Sequence, residues 1–315
     1  MTMLNVMKNT LYIFIILATL TACTSSDVAA PEQALEARFM VNQTSPFSDY
    51  WDQGKAEITT YDLKQARYDE IHAGTANTIF VTEPFSKSKQ VKLDNAAGNA
   101  KDNIRVLKLN FTRKFYTGVY PYSTMLSVFT PQDLQQYPHS LKAVFGAQEW
   151  CGQTYTQLNL AASGFDLEQY SYFESEGDKS TKLDKVLLED ELWNIIRINP
   201  SRLPTGSIKV IAGLTFSRLA HHNAEAVSAE ASIKKSGKLS TYTIRYPSYN
   251  RTVSIDYETE FPHQIQSWKE EGYSGYGSSR KKLTTTASLK ERKMLDYWNK
   301  HDLKDAPLRK ELGLE

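Results

Sequence analysis

The sequence predicts a mainly β protein, an antiparallel curved sheet or barrel-like domain with an inserted helix and a C-terminal helix. From residue 51 onward, apolar and polar residues alternate over short segments, which is the pattern of half-buried strands. Turn-forming Gly, Pro and Asn separate these segments at intervals of roughly 8–12 residues, as in antiparallel sandwiches and barrels. The 18 Tyr, 13 Phe and 5 Trp favour the same class, because aromatic residues are enriched in strands.

The alternation predicts strands throughout this region, and two of them should form a hairpin. Residues 242–246 and 252–257 are separated by Pro-Ser-Tyr-Asn-Arg, which is rich in turn-forming residues. The predicted strands cover residues 56–63, 78–82, 104–111, 118–129, 141–150, 154–160, 165–173, 208–216, 227–233, 240–246, 252–258, 264–269 and 281–287.

Two segments have helical spacing instead of alternation. Residues 183–197 carry apolar residues at intervals of three and four, and Asn199-Pro200 closes the segment. Ser288 and Glu291 form a capping-box pattern, from which an apolar stripe runs to about residue 300. These segments are the predicted inserted helix and the predicted C-terminal helix.

The N-terminus carries a targeting signal. Lys8 precedes an apolar run over residues 11–20, and Leu-Thr-Ala-Cys occupies residues 20–23. The run is too short to cross a bilayer, so the pattern predicts a signal peptide. With a cysteine at the cleavage point, the pattern resembles the lipobox of bacterial lipoproteins. The resemblance implies cleavage before Cys23, a diacylglycerol on its sulfur, and an acylated amino terminus, for example with palmitate.

The chain is thereby predicted to have three parts. Residues 1–22 form the lipoprotein signal peptide, and residues 23–48 form the lipidated cysteine and a tether with one short helix at 32–40. Residues 49–315 form a predominantly β domain. The lipid on Cys23 is the predicted membrane contact and places the protein in the cell envelope. Thr24 stands where an aspartate favours inner-membrane retention in enterobacterial lipoproteins, so the outer membrane is the predicted location.

The charge balance argues against nucleic acid as a partner. Residues 1–22 contain one of the 37 basic residues and none of the 36 acidic residues, so the mature chain has a formal net charge of zero. Nucleic-acid-binding domains usually carry a clearly basic surface. The chain also lacks a His-Glu-x-x-His motif, a Cys-x-x-Cys pair, a phosphate-binding loop and a Gly-x-Ser-x-Gly elbow. We therefore predict neither a metal nor a cofactor.

One candidate for catalysis is the segment that contains Glu149 and Cys151. A cysteine nucleophile needs a base such as histidine to form its thiolate. The alternative is a buried cysteine on a strand, where it acts as a small apolar residue.

A second candidate is an acidic group. Glu174, Glu176 and Asp178 alternate after a predicted strand, where carboxylates two residues apart share a face and can serve a hydrolase as a pair. The alternative is a solvated loop for these three acids and the polar face of the inserted helix for the acidic run at residues 189–191.

Aromatic residues on the predicted strands are candidates for ligand binding. On the concave face of a curved sheet, their rings would form an apolar lining with polar tips, which suits an acyl chain or a glycan. The alternative is ordinary strand packing. The candidate residues are Tyr120, Tyr122, Trp150, Tyr155 and Tyr172.

Several segments from about Trp51 to the C-terminus are similar to a family of lipoproteins from Bacteroidota. They are Lys55-Ala-Glu-Ile-Thr-Thr-Tyr61, Phe80-Val-Thr-Glu-Pro-Phe85, Glu149-Trp-Cys-Gly152, Ser171-Tyr-Phe-Glu-Ser-Glu-Gly-Asp178 and Leu188-Glu-Asp-Glu-Leu-Trp193. Members of this family often carry the label "septum formation inhibitor Maf". True Maf proteins are cytoplasmic nucleotide pyrophosphatases with an N-terminal Ser-x-Ser-x-x-Arg motif, which this chain lacks. The label is therefore mistaken, and no catalytic residue follows from it.

Together these observations predict a lipid-anchored protein of the cell envelope that binds an amphiphile, a glycan or a protein partner without catalysis. The alternative is an envelope hydrolase that uses the carboxylate cluster or Cys151.

Overall fold

The structure, a computed structural model, describes residues 46–314. The predicted signal peptide, Cys23 and the predicted helix at residues 32–40 lie outside the described residues. Within residues 46–314, all the strands belong to one sheet. No helix in this part of the chain has the length and apolar character needed to cross a membrane.

The sheet has 15 strands, and several run further than the alternation predicts. The prediction of residues 78–82, for example, falls inside a strand that covers Glu70–Ser86. The strands are β1 Ala56–Arg67, β2 Glu70–Ser86, β3 Asn103–Thr117, β4 Tyr120–Pro131, β5 Lys142–Glu149, β6 Gly152–Leu160, β7 Gly164–Ser171, β8 Lys179–Asp184, β9 Leu187–Leu188, β10 Gly206–Ile211, β11 Ala226–Ser236, β12 Leu239–Tyr246, β13 Arg251–Glu258, β14 Ile265–Ser274 and β15 Lys281–Leu295.

The first and last strands, β1 and β15, pair with each other in the middle of the sheet. From β1 the sheet continues through β2 to β8 on one side, and from β15 it continues through β14 to β9 on the other. Neighbouring strands are antiparallel except for β9 and β10, which are parallel. The predicted hairpin is confirmed as β12 and β13, with Tyr246 opposite Arg251. The predicted class, a mainly β antiparallel curved sheet, is confirmed as well.

The two edge strands, β8 and β9, are consecutive in the chain. Residues 185 and 186 alone join Asp184 at the end of β8 to Leu187 at the start of β9. Three Cα–Cα steps of about 3.8 Å keep these two ends within about 11 Å of each other. The sheet therefore curves until its edges approach, but they do not pair, and the barrel-like sheet stays open.

The described residues contain four short α-helices: α1 Pro46–Trp51, α2 Leu192–Ile198, α3 Leu214–Ala220 and α4 Leu308–Glu311. The inserted helix, α2, is confirmed, but it begins at Leu192 rather than at residue 183. The residues before it complete β8 and form β9, in which Leu187 pairs with Val210 of β10. The prediction of a strand over 208–216 is wrong at its end, because β10 stops at Ile211 and α3 begins at Leu214, after two intervening residues.

Helix α2 is enclosed by the curved sheet. Every residue from Leu192 to Arg197 is buried, which is typical of a helix surrounded by other elements. The ring of Trp193 packs edge-on against Phe111 of β3 and Trp268 of β14, with centroid distances of 4.9 and 5.3 Å. Because these strands belong to the two different halves of the sheet, α2 ties the halves together.

The acidic run before α2 is buried, so the expectation of a solvated polar face is wrong. Glu189, Asp190 and Glu191 are 7%, 5% and 0% exposed. Glu191 accepts hydrogen bonds from the backbone N–H groups of Ser140 at 2.5 Å and Leu188 at 3.0 Å. These carboxylates are retained in the interior because polar donors surround them.

The prediction of a C-terminal helix from residue 288 to about 300 is wrong, because β15 continues to Leu295. Its residues bond to β14 on one side and to β1 on the other, which overrides the local capping signal. Lys290 is an extra residue opposite the Thr60–Tyr61 step of β1, and such a bulge disturbs the alternation that identifies a strand. The helix nearest the C-terminus is α4, which has four residues.

Candidate ligand-binding cavities

Helix α3 lies between two cavities, and opposite faces of the helix line them. Residues three or four apart share a helix face. The β14 cavity, of about 350 Å³, is lined from α3 by Thr215, Phe216, Leu219 and Ala220. The Arg218 cavity, of about 170 Å³, is lined from α3 by Leu214, Ser217 and Arg218. This helix therefore positions side chains for two separate sites.

The β14 cavity has apolar and aromatic walls and a charged floor. Its floor is formed by side chains of β1, β13 and β14, among them the buried Gln65 and Arg251 and the partly buried Glu270. The rest of its lining comes from α3, from residues near the β12–β13 turn and from both strands of the β14–β15 hairpin. These wall residues include Phe216, Leu219, Tyr249, Tyr273, Tyr276, Arg280 and Leu283.

The floor of the β14 cavity contains a series of linked ion pairs, whose side chains are 3–14% exposed. Arg251 donates to both oxygens of Glu189, at 2.5 and 2.7 Å, and to Glu270 at 3.3 Å. Arg113 donates to the other oxygen of Glu270 at 2.7 Å, and the Tyr246 hydroxyl donates to Glu189 at 2.6 Å. Each charged side chain in this series of ion pairs therefore has an oppositely charged partner within hydrogen-bond distance.

The pKa values of two carboxyl groups in this region are shifted in opposite directions. Burial alone would raise the pKa of Glu270, but Arg113 and Arg251 outweigh it and hold that pKa below its ordinary value. Burial raises the pKa of Asp190 to about 7, and the neighbouring Glu189 adds to the effect. A hydrogen bond of 3.0 Å from the Leu214 N–H opposes this shift. Asp190 therefore binds a proton more readily than an ordinary aspartate.

Arg67 joins the β14 cavity to the end of α3. Its Nε donates to the Tyr122 hydroxyl at 3.4 Å, and one of its terminal nitrogens donates to the Leu219 carbonyl at 2.5 Å. Carbonyls in the last turn of a helix have no partner within the helix, so this bond fixes the end of α3. The guanidinium also lies over the Tyr68 ring, 4.6 Å from its centroid.

Two guanidinium groups of the β14 cavity, those of Arg67 and Arg280, have no carboxylate partner among residues 46–314. Arg280 lies over the Tyr273 ring at 4.8 Å from the centroid. The cavity therefore presents two positive charges that no carboxylate in the described chain balances.

Arg218 bonds to two of the carboxylates that the sequence singles out, and one of them, Glu176, also lines the Arg218 cavity. Arg218 donates to Glu149 at 2.8 Å and to Glu176 at 3.1 Å, one from each terminal nitrogen. The guanidinium lies over the Phe173 ring at 4.5 Å from the centroid. Glu176 also accepts a hydrogen bond from the Ser171 hydroxyl at 2.8 Å. The two acids are brought together by an arginine that bonds to both.

The adjacent histidines at the end of α3 belong to different surroundings. His221 adopts a left-handed conformation with φ of 56°, which ends the helix. Its two ring nitrogens lie 2.9 Å from Glu176 and 3.0 Å from the Tyr276 hydroxyl. His222 packs on the rings of Phe216 and Tyr249, and burial together with Arg280 lowers its pKa. His222 lines both cavities.

Cys151 and Trp150 lie at the turn between β5 and β6. Cys151 is exposed, so the alternative of a buried strand cysteine is wrong. Its backbone N–H donates to the Tyr120 hydroxyl at 3.0 Å, and this hydroxyl donates to Glu149 at 3.3 Å. Trp150 is 70% exposed, with its ring 6.0 Å from that of Tyr120. The Glu149 side chain turns inward and pairs with Arg218, whereas Cys151 stays on the surface.

The remaining predicted acids lie on the loop between β7 and β8 rather than on a strand. Glu174 and Asp178 are exposed, and Glu176 is half-buried. Asp178 accepts a hydrogen bond from the Ser171 N–H at 3.2 Å. Of these three acids, Glu176 is the one that joins the Arg218 cluster.

The candidate tyrosines do not share one face of the sheet, so the expectation of a single aromatic lining is wrong. Tyr122 is buried and stacks on Phe115 at 4.7 Å between centroids. Tyr155 alternates with the buried Thr154 and Thr156 of β6 and therefore points to the outer face. Tyr172 is also exposed. Together with Tyr170, Tyr155 and Tyr172 line a shallow outer groove of about 640 Å³.

The sequence reasoning missed Arg67, Arg218, Arg251 and Arg280, which dominate the charge of both cavities. None of them belongs to a recognised motif, and the carboxylates that pair with Arg218 and Arg251 lie far away in the chain. One local signal was available for α3: Gly213 is followed by apolar Phe216, Leu219 and Ala220, at spacings of three and four residues from Phe216. Seven residues are too few for that period to stand out.

Comparison with known proteins returns one similar fold. No protein-family model matches the sequence, and no curated protein matches it. Among solved structures, the chain is similar to the crystal structure of a beta-barrel-like protein of the domain of unknown function DUF1849 from Brucella abortus. The identity is 10%, the match covers 76% of this chain and 98% of that one, and the TM-score is 0.46. The fold assignment given above rests on the strand pairing of this chain.

Proposed function

We propose that this protein is a lipid-anchored component of the cell envelope that binds an anionic amphiphile in the β14 cavity and does not catalyse a reaction. Lipid on Cys23 is the anchor, and the folded region is the binding domain. One observation carries the proposal. Apolar walls and two guanidinium groups without a carboxylate partner among residues 46–314 occur together in one cavity.

The cavity has the size and composition of a small-molecule site. Such sites measure about 300–1,000 Å³ and combine apolar surface with a few polar groups, and the β14 cavity of about 350 Å³ falls at the lower end. Phe216, Leu219 and Leu283 supply apolar surface, which stabilises a bound chain by about 25 cal/mol per Å² buried. Arg67 and Arg280 favour a negatively charged head group. A neutral glycan carries no charge that would pair with these guanidinium groups. A protein partner needs a broader contact surface than this cavity offers.

The proposal can be tested with three probes that share a twelve-carbon chain. They are dodecanoate, dodecanol and dodecyltrimethylammonium, added to the full-length protein in a neutral detergent and followed by native mass spectrometry. We expect one retained dodecanoate per chain, with weaker retention of the alcohol and the cation. Equal retention of the three, or a preference for the cation, would contradict the proposal.

A charge variant locates the site. Arg280→Gln should weaken dodecanoate binding about fivefold, because an exposed ionic contact contributes about 1 kcal/mol at most. Arg245→Gln is the matched control, since Arg245 is also exposed and does not line the cavity. If both variants bind like the wild type, the guanidinium of Arg280 does not hold the head group.

An envelope hydrolase is the second candidate, supported by the two carboxylates, Glu149 and Glu176, that meet at Arg218. Both carboxylates pair with Arg218, so either would have to leave that pair to transfer a proton. The test uses p-nitrophenyl esters and glycosides as probes. Turnover that is lost in Glu176→Gln and kept in Glu174→Gln, a change to the exposed neighbour, would favour the hydrolase over the binding protein.

A further inference from the structure

The Arg218 cavity contains three buried polar atoms that have no hydrogen-bond partner among residues 46–314. They are Thr154 Oγ1, Ser217 Oγ and Arg218 Nε, and all three residues line the cavity. Thr154, Ser217 and Arg218 are 6%, 8% and 7% exposed. Buried polar groups in folded proteins nearly always have partners, so three without one in a single cavity point to a polar occupant.

The charges around these atoms define the kind of occupant. The two terminal nitrogens of Arg218 already bond to Glu149 and Glu176. Lys179, which also lines the cavity, donates to the Asn223 amide oxygen at 2.9 Å. Two positive charges therefore balance two negative ones, and an anion would leave an unbalanced negative charge in a partly buried site. A cation would lie against the Nε–H donor of Arg218. A neutral molecule with hydroxyl groups avoids both conflicts, since a hydroxyl accepts from an N–H and exchanges hydrogen bonds with Ser and Thr.

The volume of the Arg218 cavity limits the size of the occupant. A water molecule occupies about 30 Å³ of the liquid, so a cavity of about 170 Å³ holds far more than one bridging water. Side chains at the cavity mouth, including Ser175 and Asn223, are exposed, which gives a molecule in solution access. The space suits a single small ring with several hydroxyl groups.

We propose that the Arg218 cavity is a second binding site, distinct from the β14 cavity, that takes a neutral saccharide unit. The Arg218 Nε–H donates to one sugar oxygen, and the Thr154 and Ser217 hydroxyls bond to others. Glu149 and Glu176 hold the guanidinium in place. His221 closes the site at one side through its contacts with Glu176 and Tyr276. The proposal does not depend on amphiphile binding, because the two cavities use opposite faces of α3.

The test compares sugars that share a ring and differ in charge. Glucose, galactose and N-acetylglucosamine are the neutral probes, and glucosamine and glucuronate are the charged ones. Binding to the full-length protein is measured by isothermal titration calorimetry. We expect at least one neutral sugar to bind and both charged sugars to bind more weakly. Preference for a charged sugar, or no binding of any neutral sugar, would overturn the proposal.

Variants then test whether the sugar binds in the Arg218 cavity rather than elsewhere on the protein. Thr154→Val and Ser217→Ala each remove one hydroxyl with little change in shape, and each should weaken sugar binding about fivefold. Gly272→Leu, which fills the β14 cavity, is the control and should leave sugar affinity unchanged. Unaltered affinity in both hydroxyl variants would place the sugar elsewhere. A high-resolution crystal structure grown with the sugar that shows ordered waters alone in the cavity would also overturn the proposal.

Discussion

Arg251 donates two hydrogen bonds to the carboxylate of Glu189 inside the curved sheet, at 2.5 and 2.7 Å. The side chains are 3% and 9% exposed, so water screens this pair weakly. Arg251 also contacts Glu270 and lines the β14 cavity. The same side chain therefore supports the interior and shapes the floor of the proposed binding site.

We expect Arg251→Met to lower the free energy of unfolding by about 3–5 kcal/mol, because it leaves Glu189 buried without its charge partner. Urea unfolding followed by circular dichroism measures the loss. Lys182→Met is the control: it breaks the Lys182–Asp166 pair, whose side chains are 77% and 47% exposed, and should cost less than about 1 kcal/mol. Similar losses in the two variants would show that burial of the Arg251 pair does not govern stability.

Asp190 should make the protein less stable as the pH rises from about 4 to about 7. Its pKa is about 7 in the folded protein and about 3.9 in the unfolded chain. Between these values the folded state binds more protons, so the free energy of unfolding falls with pH by up to about 1.4 kcal/mol per unit. Glu270, whose pKa is lowered, acts in the opposite sense and loses its contribution as the pH falls below about 4.5.

Urea unfolding of the wild type and of Asp190→Asn at pH 5, 6 and 7 isolates this effect. The amide keeps an oxygen that accepts from the Leu214 N–H but cannot titrate. We expect a shallower dependence of unfolding free energy on pH for Asp190→Asn. Parallel curves for the two proteins would mean that Asp190 ionises alike in the folded and unfolded states.

Gly272→Leu should reduce dodecanoate affinity at least about tenfold, equivalent to 1.4 kcal/mol, because the new side chain would occupy the β14 cavity. A Cβ on Gly272 meets Arg251 no closer than 3.7 Å, so the first carbon of the new side chain fits without a shift of the strand. Gly146→Leu is the matched control on the outer face, where the nearest atom to a Cβ is the Thr154 carbonyl at 3.9 Å. Loss of binding in Gly146→Leu alone would assign the amphiphile to the outer groove.

Cys23→Ser should move the protein from the membrane fraction to the soluble fraction, since lipid chains supply the proposed attachment. Growth with an alkyne analogue of palmitate, followed by click labelling, measures acylation directly. Cys151→Ser tests the other cysteine of the chain, which is exposed, and should keep both the label and the membrane location. A labelled, membrane-bound Cys23→Ser protein would refute anchoring at this residue.

The local sequence pattern predicted most of the sheet, because apolar and polar residues must alternate along a strand that has one buried face. The β12–β13 hairpin shows this clearly, with turn-forming residues between two alternating segments. The same reasoning failed at Ser288 and Glu291, where a capping-box pattern lies inside β15. Hydrogen bonds from β1 and β14 on both sides outweigh a helix-start signal that contributes about 1 kcal/mol.

The candidate site was predictable only in part. The sequence singled out Glu149 and Glu176, but their common partner, Arg218, is 69 and 42 residues away from them. A contact between positions so far apart leaves no periodic trace in the chain. Glu149 and Cys151 were singled out as one segment, whereas the turn between β5 and β6 directs Glu149 inward and Cys151 outward.

By itself, the sequence determined the antiparallel β class, the approximate positions of most strands and the inserted helix, because these follow from local alternation and spacing. It also carries the signal that predicts lipidation at Cys23. Tertiary structure alone decided that β1 pairs with β15, that the sheet curves around α2, and that arginines distant from one another in the chain line two cavities beside α3. The physical reason is the burial of charged side chains. A charge inside the sheet is stable only beside a partner, and the fold, not the neighbouring residue, supplies that partner.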